Sequence, residues 1–344
     1  MSFKRLETDD FVISADSITA GIWTGNAPTL TQFFTSSVQA AGSTGTYYLS
    51  VYQTASTDSA AEVQFDIAYG NKQGSGSTLY NTAVAGKSPT QTVYGQYRTL
   101  VLGDENTDFV FGSQTVSDFW AISVSRNRYK ESLLPGSLTL ELSGSLGVIF
   151  LTDDSQYVPS ITFKDAGRVF NLISGSAGVK TTSTTNNTTD GWSEASGSYG
   201  WLLPDIGTIL LNPTALSGSV TAGGVGLNVG RNSNTNDTNN AKLYNAINGA
   251  TARVFTLNSQ ETITSDFVFI RPRSSEFNYS ENPSYISGST GEVVFDSFIN
   301  NPQTYITTVG LYNDTNDLLA VAKLSRPLKK DFTKEALVRV KLDF

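Results

Sequence analysis

The commonest pattern along the chain is a period-two alternation of apolar and polar positions, the signature of strands with one buried face. Val63, Phe65, Ile67 and Tyr69 alternate with Gln64, Asp66 and Ala68, and Leu138, Leu140 and Leu142 alternate with Thr139 and Glu141. At the C-terminus, Ala336, Val338, Val340, Leu342 and Phe344 share one face, and Leu337, Arg339, Lys341 and Asp343 share the other. The β-rich runs 305–313 and 317–325 are separated by Asp314-Thr315-Asn316, residues that tolerate left-handed geometry and bond their own backbone, which predicts a hairpin. Joined by the final strand, this hairpin predicts a three-stranded meander over 305–344. Further strands are predicted at 120–125, 148–152, 208–211, 252–257 and 266–271.

Helical signals are few and short. The best are 29–40, preceded by Asn26 and Pro28, and 240–248, and neither has the caps or length to stand without packing. The pattern therefore predicts a mainly β protein: antiparallel sandwich- or barrel-like sheets with few short helices. Two polar low-complexity segments, 181–190 and 232–240, contain no apolar residue to bury and are expected to be exposed loops. At 344 residues the chain has room for two lobes. The first polar segment then divides a β-rich N-terminal lobe, 1–180, from a β-rich C-terminal lobe, 181–344; the alternative is a long loop on one continuous domain.

Composition narrows the chemistry. The chain has no histidine and no cysteine, and its one methionine is Met1. That removes imidazole acid–base catalysis, the Ser-His and Cys-His nucleophile pairs, and the usual zinc, copper and haem ligands. A carboxylate pair for glycoside cleavage is still available, but 31 acidic residues offer no means of choosing one. The repeating short strands of a parallel β-helix, the scaffold on which phage depolymerases use that chemistry, are absent. The run 223–230 is glycine-rich but lacks the Gly-Lys-Ser/Thr ending of a phosphate loop and the amphipathic helix of a dinucleotide-binding turn. Asp153-Asp154 and the Asn/Asp-rich run 232–240 lack the glycine and terminal glutamate of a calcium loop. No catalytic, cofactor-binding or metal-ligating residue is assigned, and no enzymatic activity or cofactor is expected.

The net charge of −8 argues against nucleic acid as a partner. The densest basic spots, Arg126-Asn127-Arg128-Tyr129-Lys130 and Lys329-Lys330, read as solvated strand ends. No run approaches the roughly 20 apolar residues that cross a bilayer, and the first residues lack the apolar core of a signal peptide, so no membrane partner is expected and synthesis is expected in a cytoplasm. Charged residues make up 16% of the chain, which implies a surface of Ser, Thr, Asn and Gln, suited to an assembly part. Among the four tryptophans, Trp192 and Trp201 flank the Gly/Ser-rich run 191–200. With Tyr199 they are expected to be exposed, either as anchors in a protein interface or as a platform for glycan.

The run Val309-Gly310-Leu311-Tyr312-Asn313-Asp314-Thr315-Asn316-Asp317-Leu318-Leu319-Ala320-Val321-Ala322 resembles a hairpin of tail-fibre and baseplate-proximal proteins of tailed bacteriophages. Phe3 to Phe11, Tyr94-Gly95-Gln96-Tyr97-Arg98 with Leu102 to Asn106, Asn127 to Glu131 with Pro135 to Leu140, and Ser325 to Phe344 resemble virion structural proteins of T4-like marine cyanophages, which are myoviruses. The resemblance implies a tail or baseplate subunit of the virion, made in the host cytoplasm, homo-oligomeric and in contact with other virion proteins. It brings no catalytic residue. A receptor- or glycan-binding fibre-attachment role and a capsid-decoration role stay open beside it.

Overall fold

The computed structural model describes residues 3–36, 48–76, 88–181, 190–219, 223–231, 238–279 and 283–343. It is mainly β, with antiparallel sheets that include a curled half-barrel and, among the described residues, four short α-helices, as the alternation predicts. The strands in chain order are β1 (Phe11–Gly21), β2 (Thr29–Leu30), β3 (Phe34–Thr35), β4 (Tyr48–Tyr52), β5 (Val63–Asn71), β6 (Phe109–Phe111), β7 (Gln114–Val116), β8 (Asp118–Val124), β9 (Ser132–Leu133), β10 (Thr139–Gly144) and β11 (Gly147–Asp153). They continue with β12 (Thr162–Lys164), β13 (Gly167–Ser176), β14 (Val179–Lys180), β15 (Gly200–Leu203), β16 (Thr208–Leu211), β17 (Phe255–Thr256), β18 (Asn258–Ile270), β19 (Gln303–Tyr312), β20 (Leu318–Asp331) and β21 (Val338–Asp343). The helices are α1 (Pro89–Leu102), α2 (Pro213–Ser217), α3 (Thr238–Asn248) and α4 (Asp296–Asn300).

The chain forms a central unit, Ile18–Glu261, and a terminal unit made of Met1–Ser17 and Thr262–Phe344. The division expected at 180/181 is not where the structure divides. Strand β13 pairs with β15, setting Phe170 against Leu202, so one sheet continues on both sides of the polar segment. Residues 182–189 of that segment lie outside the described residues.

The central unit is built on a 13-stranded sheet whose main path runs β2-β17-β10-β11-β13-β15-β16-β8-β5-β4-β3. Its middle strands β15, β16 and β8 carry apolar residues on both faces, as strands covered on both sides do. Phe65, Ile67, Tyr69, Trp120, Ile122, Val124, Ile209 and Leu211 enter one core, and Phe119, Ala121, Trp201, Leu203 and Leu210 enter a second. Register aligns them, with Ile67 opposite Ile122 and Ile122 opposite Ile209. Helix α3 closes the first core with Leu243, Ala246 and Ile247, and α1 closes the second with Tyr94 and Val101. Gly70 lets α1 sit down on β5, because a Cβ there would lie 3.1 Å from the backbone N of Tyr94.

Several local expectations change. The predicted helix 29–40 is instead two strand fragments, β2 and β3, with Leu30 paired to Phe255 and Thr35 to Val51. A Thr- and Phe-rich run gains more from cross-strand pairing than from helical propensity; residues 37–40 lie outside the described residues. Asn239 and Asn240, expected in an exposed loop, are buried in the first turn of α3; residues 232–237 lie outside the described residues. The glycine-rich run 223–230 turns tightly, with Gly223 and Gly226 in the left-handed region, and residues 223–227 are buried.

In the terminal unit the hairpin β19–β20 forms as predicted, from Gln303 opposite Asp331 to Tyr312 opposite Leu318. The final strand does not join it, so the expected meander is absent. Strand β21 pairs instead with β18, from Ser265 opposite Asp343 to Ile270 opposite Val338. The alternation read from β21 holds, with Val340 buried and Arg339 and Lys341 exposed. Lys330, read as a solvated strand end, has no exposed surface. Its ammonium donates to Asn278 Oδ1 at 2.8 Å, to Asp331 O at 2.9 Å and to Ser274 O at 3.0 Å, so each of its three protons finds an oxygen.

Candidate functional site

The structure separates the three aromatic residues expected to be exposed. Trp201 is 6% exposed and lies in the second core, its ring centroid 5.1 Å from Phe111 and 5.8 Å from Phe109. Tyr199 is 2% exposed in the first core. Its hydroxyl donates to Gly223 O at 2.6 Å, and burial pushes the phenol up to about 12. Trp192 is half-buried against the first core. Gly200 opens β15, and period-two geometry then carries Trp201 into the sheet. A Gly/Ser-rich neighbourhood is thus a strand entry, not an exposed platform, and the expected surface for interface or glycan is not formed by these residues.

Asp153 and Asp154 are also buried, and both carboxyls are pushed above the ordinary carboxylate range by burial. Asp153 accepts from the Gly136 amide at 2.9 Å, and Asp154 accepts from the Asn171 amide at 2.9 Å and from Asn171 Nδ2 at 3.0 Å. This is loop-fixing chemistry. No group of three acidic residues able to hold a metal is found among the described residues.

Two other features are candidates for function. The first is a surface of the terminal unit. Val268 and Val340 are its buried apolar side chains among the described residues, whereas Ser265, Thr304, Lys330 and Asp331 are all buried. Large apolar groups lie outside: Ile13 is 73% exposed, Leu319 and Ile299 are each 67% exposed, and Tyr305, Val321, Phe332 and Leu337 are more than half exposed. The hairpin strands hold 10 and 14 residues, and among the described residues they pair only with each other. A two-stranded sheet of this kind is at best marginally stable alone, and its open edges are templates for another strand.

The second feature is a polar row across the central sheet. Ser50 on β4 lies opposite Asp66 on β5, Asp66 opposite Ser123 on β8, and Ser123 opposite Thr208 on β16. Ser50 Oγ donates to Asp66 Oδ1 at 2.6 Å, and Tyr97 from α1 bonds Ser123. Burial raises the Asp66 carboxyl above its ordinary value, against the smaller lowering by Ser50. A cavity of about 530 Å³ opens here, lined by Asp66, Ser123, Ser125, Arg126, Tyr129 and Asp205. Arg126 donates to Tyr129 O at 2.8 Å and lies 4.7 Å from the centre of the Tyr129 ring. Asp205 is held by Arg168, whose Nη2 and Nε reach Oδ1 at 2.6 and 3.0 Å. No sequence motif joins these residues; the sheet register does.

Compared with protein-family models, curated proteins and solved structures, the chain matches none.

Proposed function

We propose that this chain is a non-enzymatic structural subunit of a contractile-tailed phage particle, placed in the tail or baseplate, which joins other virion proteins and further copies of itself through the terminal unit. The observation that carries this reading is the imbalance of the terminal unit. Among the described residues of this unit of about 100, two apolar side chains are buried, while large Leu, Val, Ile, Phe and Tyr side chains stay outside. Folding on such a scale requires more apolar burial than this, and partner chains supply the remainder. Open hairpin edges add the means, since strand addition gives main-chain hydrogen bonds along the length of the contact. The resemblance of the terminal blocks, Phe3 to Phe11 and Ser325 to Phe344, to cyanophage virion proteins supports the particle context.

A glycan-holding role for Trp192, Tyr199 and Trp201 loses its footing, because two of the three rings are in the core. The test is mass by light scattering on the full-length chain, beside electron microscopy of particles with labelled subunit. The reading expects an oligomer that Leu319→Asp with Val321→Lys converts to monomer. A full-length chain that is monomeric and fully folded at high concentration, or that is missing from mature particles, would refute it.

A further inference from the structure

From the polar row and its cavity we infer that the central unit holds a second site, which binds a neutral saccharide unit. The first argument is charge. Asp66 and Asp205 are matched by Arg126 and Arg168 around the opening, so neither an anion nor a cation is favoured by the net field. The second is hydrogen-bonding capacity. Ser50 Oγ is the one hydrogen-bond donor to the Asp66 carboxyl among the described residues, so this lining residue keeps acceptor capacity at Oδ2. Ser123 and Ser125 offer hydroxyls that donate or accept, and Arg126 spends one bond on Tyr129 O and retains further N–H groups. Such a mixed set of one half-buried acceptor, a guanidinium and two hydroxyls matches a ring bearing several vicinal hydroxyls, each both donor and acceptor.

The third argument is shape. A volume of about 530 Å³ falls in the range of small-molecule sites and exceeds one pyranose ring. Ile206, packed against the second core, supplies an apolar group for the ring's C–H face. The row is also rigid. Asp66, Ser123 and Thr208 sit on three hydrogen-bonded strands with a core on the opposite face, and Arg168 grips Asp205 through its side chain while its amide donates to Oδ2 at 2.7 Å. Groups held this way lose little freedom when a ligand arrives, and that is what makes a weakly held sugar bind at all.

This site is independent of assembly through the terminal unit, so either can fail alone. The experiment is saturation-transfer NMR followed by titration on the full chain, with the methyl glycosides of glucose, galactose, mannose and N-acetylglucosamine as probes. At least one probe is expected to bind. Its dissociation constant is expected to rise by about tenfold or more in Asp66→Asn, since a hydrogen bond to a charged group is removed. Ser125→Trp, at a half-exposed position on the wall, is expected to abolish binding by filling the cavity, and it keeps the test valid if Asp66→Asn folds poorly. Trp192→Ala is expected to leave binding unchanged. No saturation transfer from any of the four at roughly 10 mM, or equal binding by the Ser125→Trp chain, would overturn the assignment.

Discussion

Tyr69 and Asp118 form a buried pair in the central unit: the phenol hydroxyl donates to Asp118 Oδ2 at 2.7 Å, and both residues are 2% exposed. Arg231 Nε meets the same oxygen at 2.8 Å, and burial together with the neighbouring carboxylate drives the Tyr69 phenol far above its usual range. Asp118→Ala removes the acceptor of both donors, and a cost of about 3 kcal/mol is expected. Tyr69→Phe is expected to cost about 1–2 kcal/mol. Arg231→Ala, whose side chain is 44% exposed, is expected to cost less than about 1 kcal/mol. Urea unfolding of the three variants checks the order, and a larger loss from Arg231 than from Asp118 would be inconsistent with it.

Trp201 and Trp192 are a second comparison. Trp201→Ala empties a core position against Phe109 and Phe111 and is expected to cost about 3–5 kcal/mol. Trp192→Ala, half-buried, is expected to cost clearly less. Thermal unfolding followed by near-ultraviolet circular dichroism separates them, and equal small losses would return Trp201 to the surface.

Asp66 gives a pH dependence with a definite sign. Its folded-state carboxyl is raised by burial above the ordinary value of about 3.9, so between that value and the raised one the folded chain binds more protons than the unfolded chain. Stability contributed by this group therefore rises as pH falls through the raised value, and levels off below about 3.9. Asp66→Asn is expected to be most favourable, relative to the native residue, at neutral pH and to lose that advantage toward pH 4. Urea midpoints at a series of pH values measure it; an advantage that grows on acidification would contradict the burial argument.

Lys330 makes a prediction about the hairpin. Lys330→Met keeps the bulk of the side chain but leaves Asn278 Oδ1, Ser274 O and Asp331 O without their donor, and a loss of about 1–3 kcal/mol is expected, local to β20. Hydrogen exchange at the β20 amides should quicken, with the amides of β5 and β8 unchanged.

What the sequence made legible follows from the range of the interactions involved. Period-two runs in β5, β10 and β21 declare their strands because each contributes its own buried face, and Asn313 to Asp317 declares a turn because Asn313 Oδ1 caps its own backbone at Thr315 and Asp317. Helix α1 was missed because its buried residues, Thr90, Tyr94 and Val101, give little periodicity; the signals that marked it were Ser88-Pro89 at its start and Gly103, in the left-handed region, at its end. The pairing of β21 with β18 joins residues 68 to 78 positions apart, from Ile270 with Val338 to Ser265 with Asp343, for which local patterning carries no information. The polar cavity was hidden for the same reason, since Asp66, Ser123, Arg126 and Asp205 meet only through sheet register. Glu141 sits on the half of β10 read as polar, yet it is buried beneath the amides of Ala252 and Val254, which shows that alternation predicts apolar burial better than polar exposure.

The terminal unit draws on both ends of the polypeptide, with Lys4 bonded to Glu276 across 272 positions. During translation, the segment up to Glu261 leaves the ribosome first and can acquire its cores while residues 3–17 wait without their neighbours. A message cut short before residue 262 yields a chain with a sound centre and no hairpin.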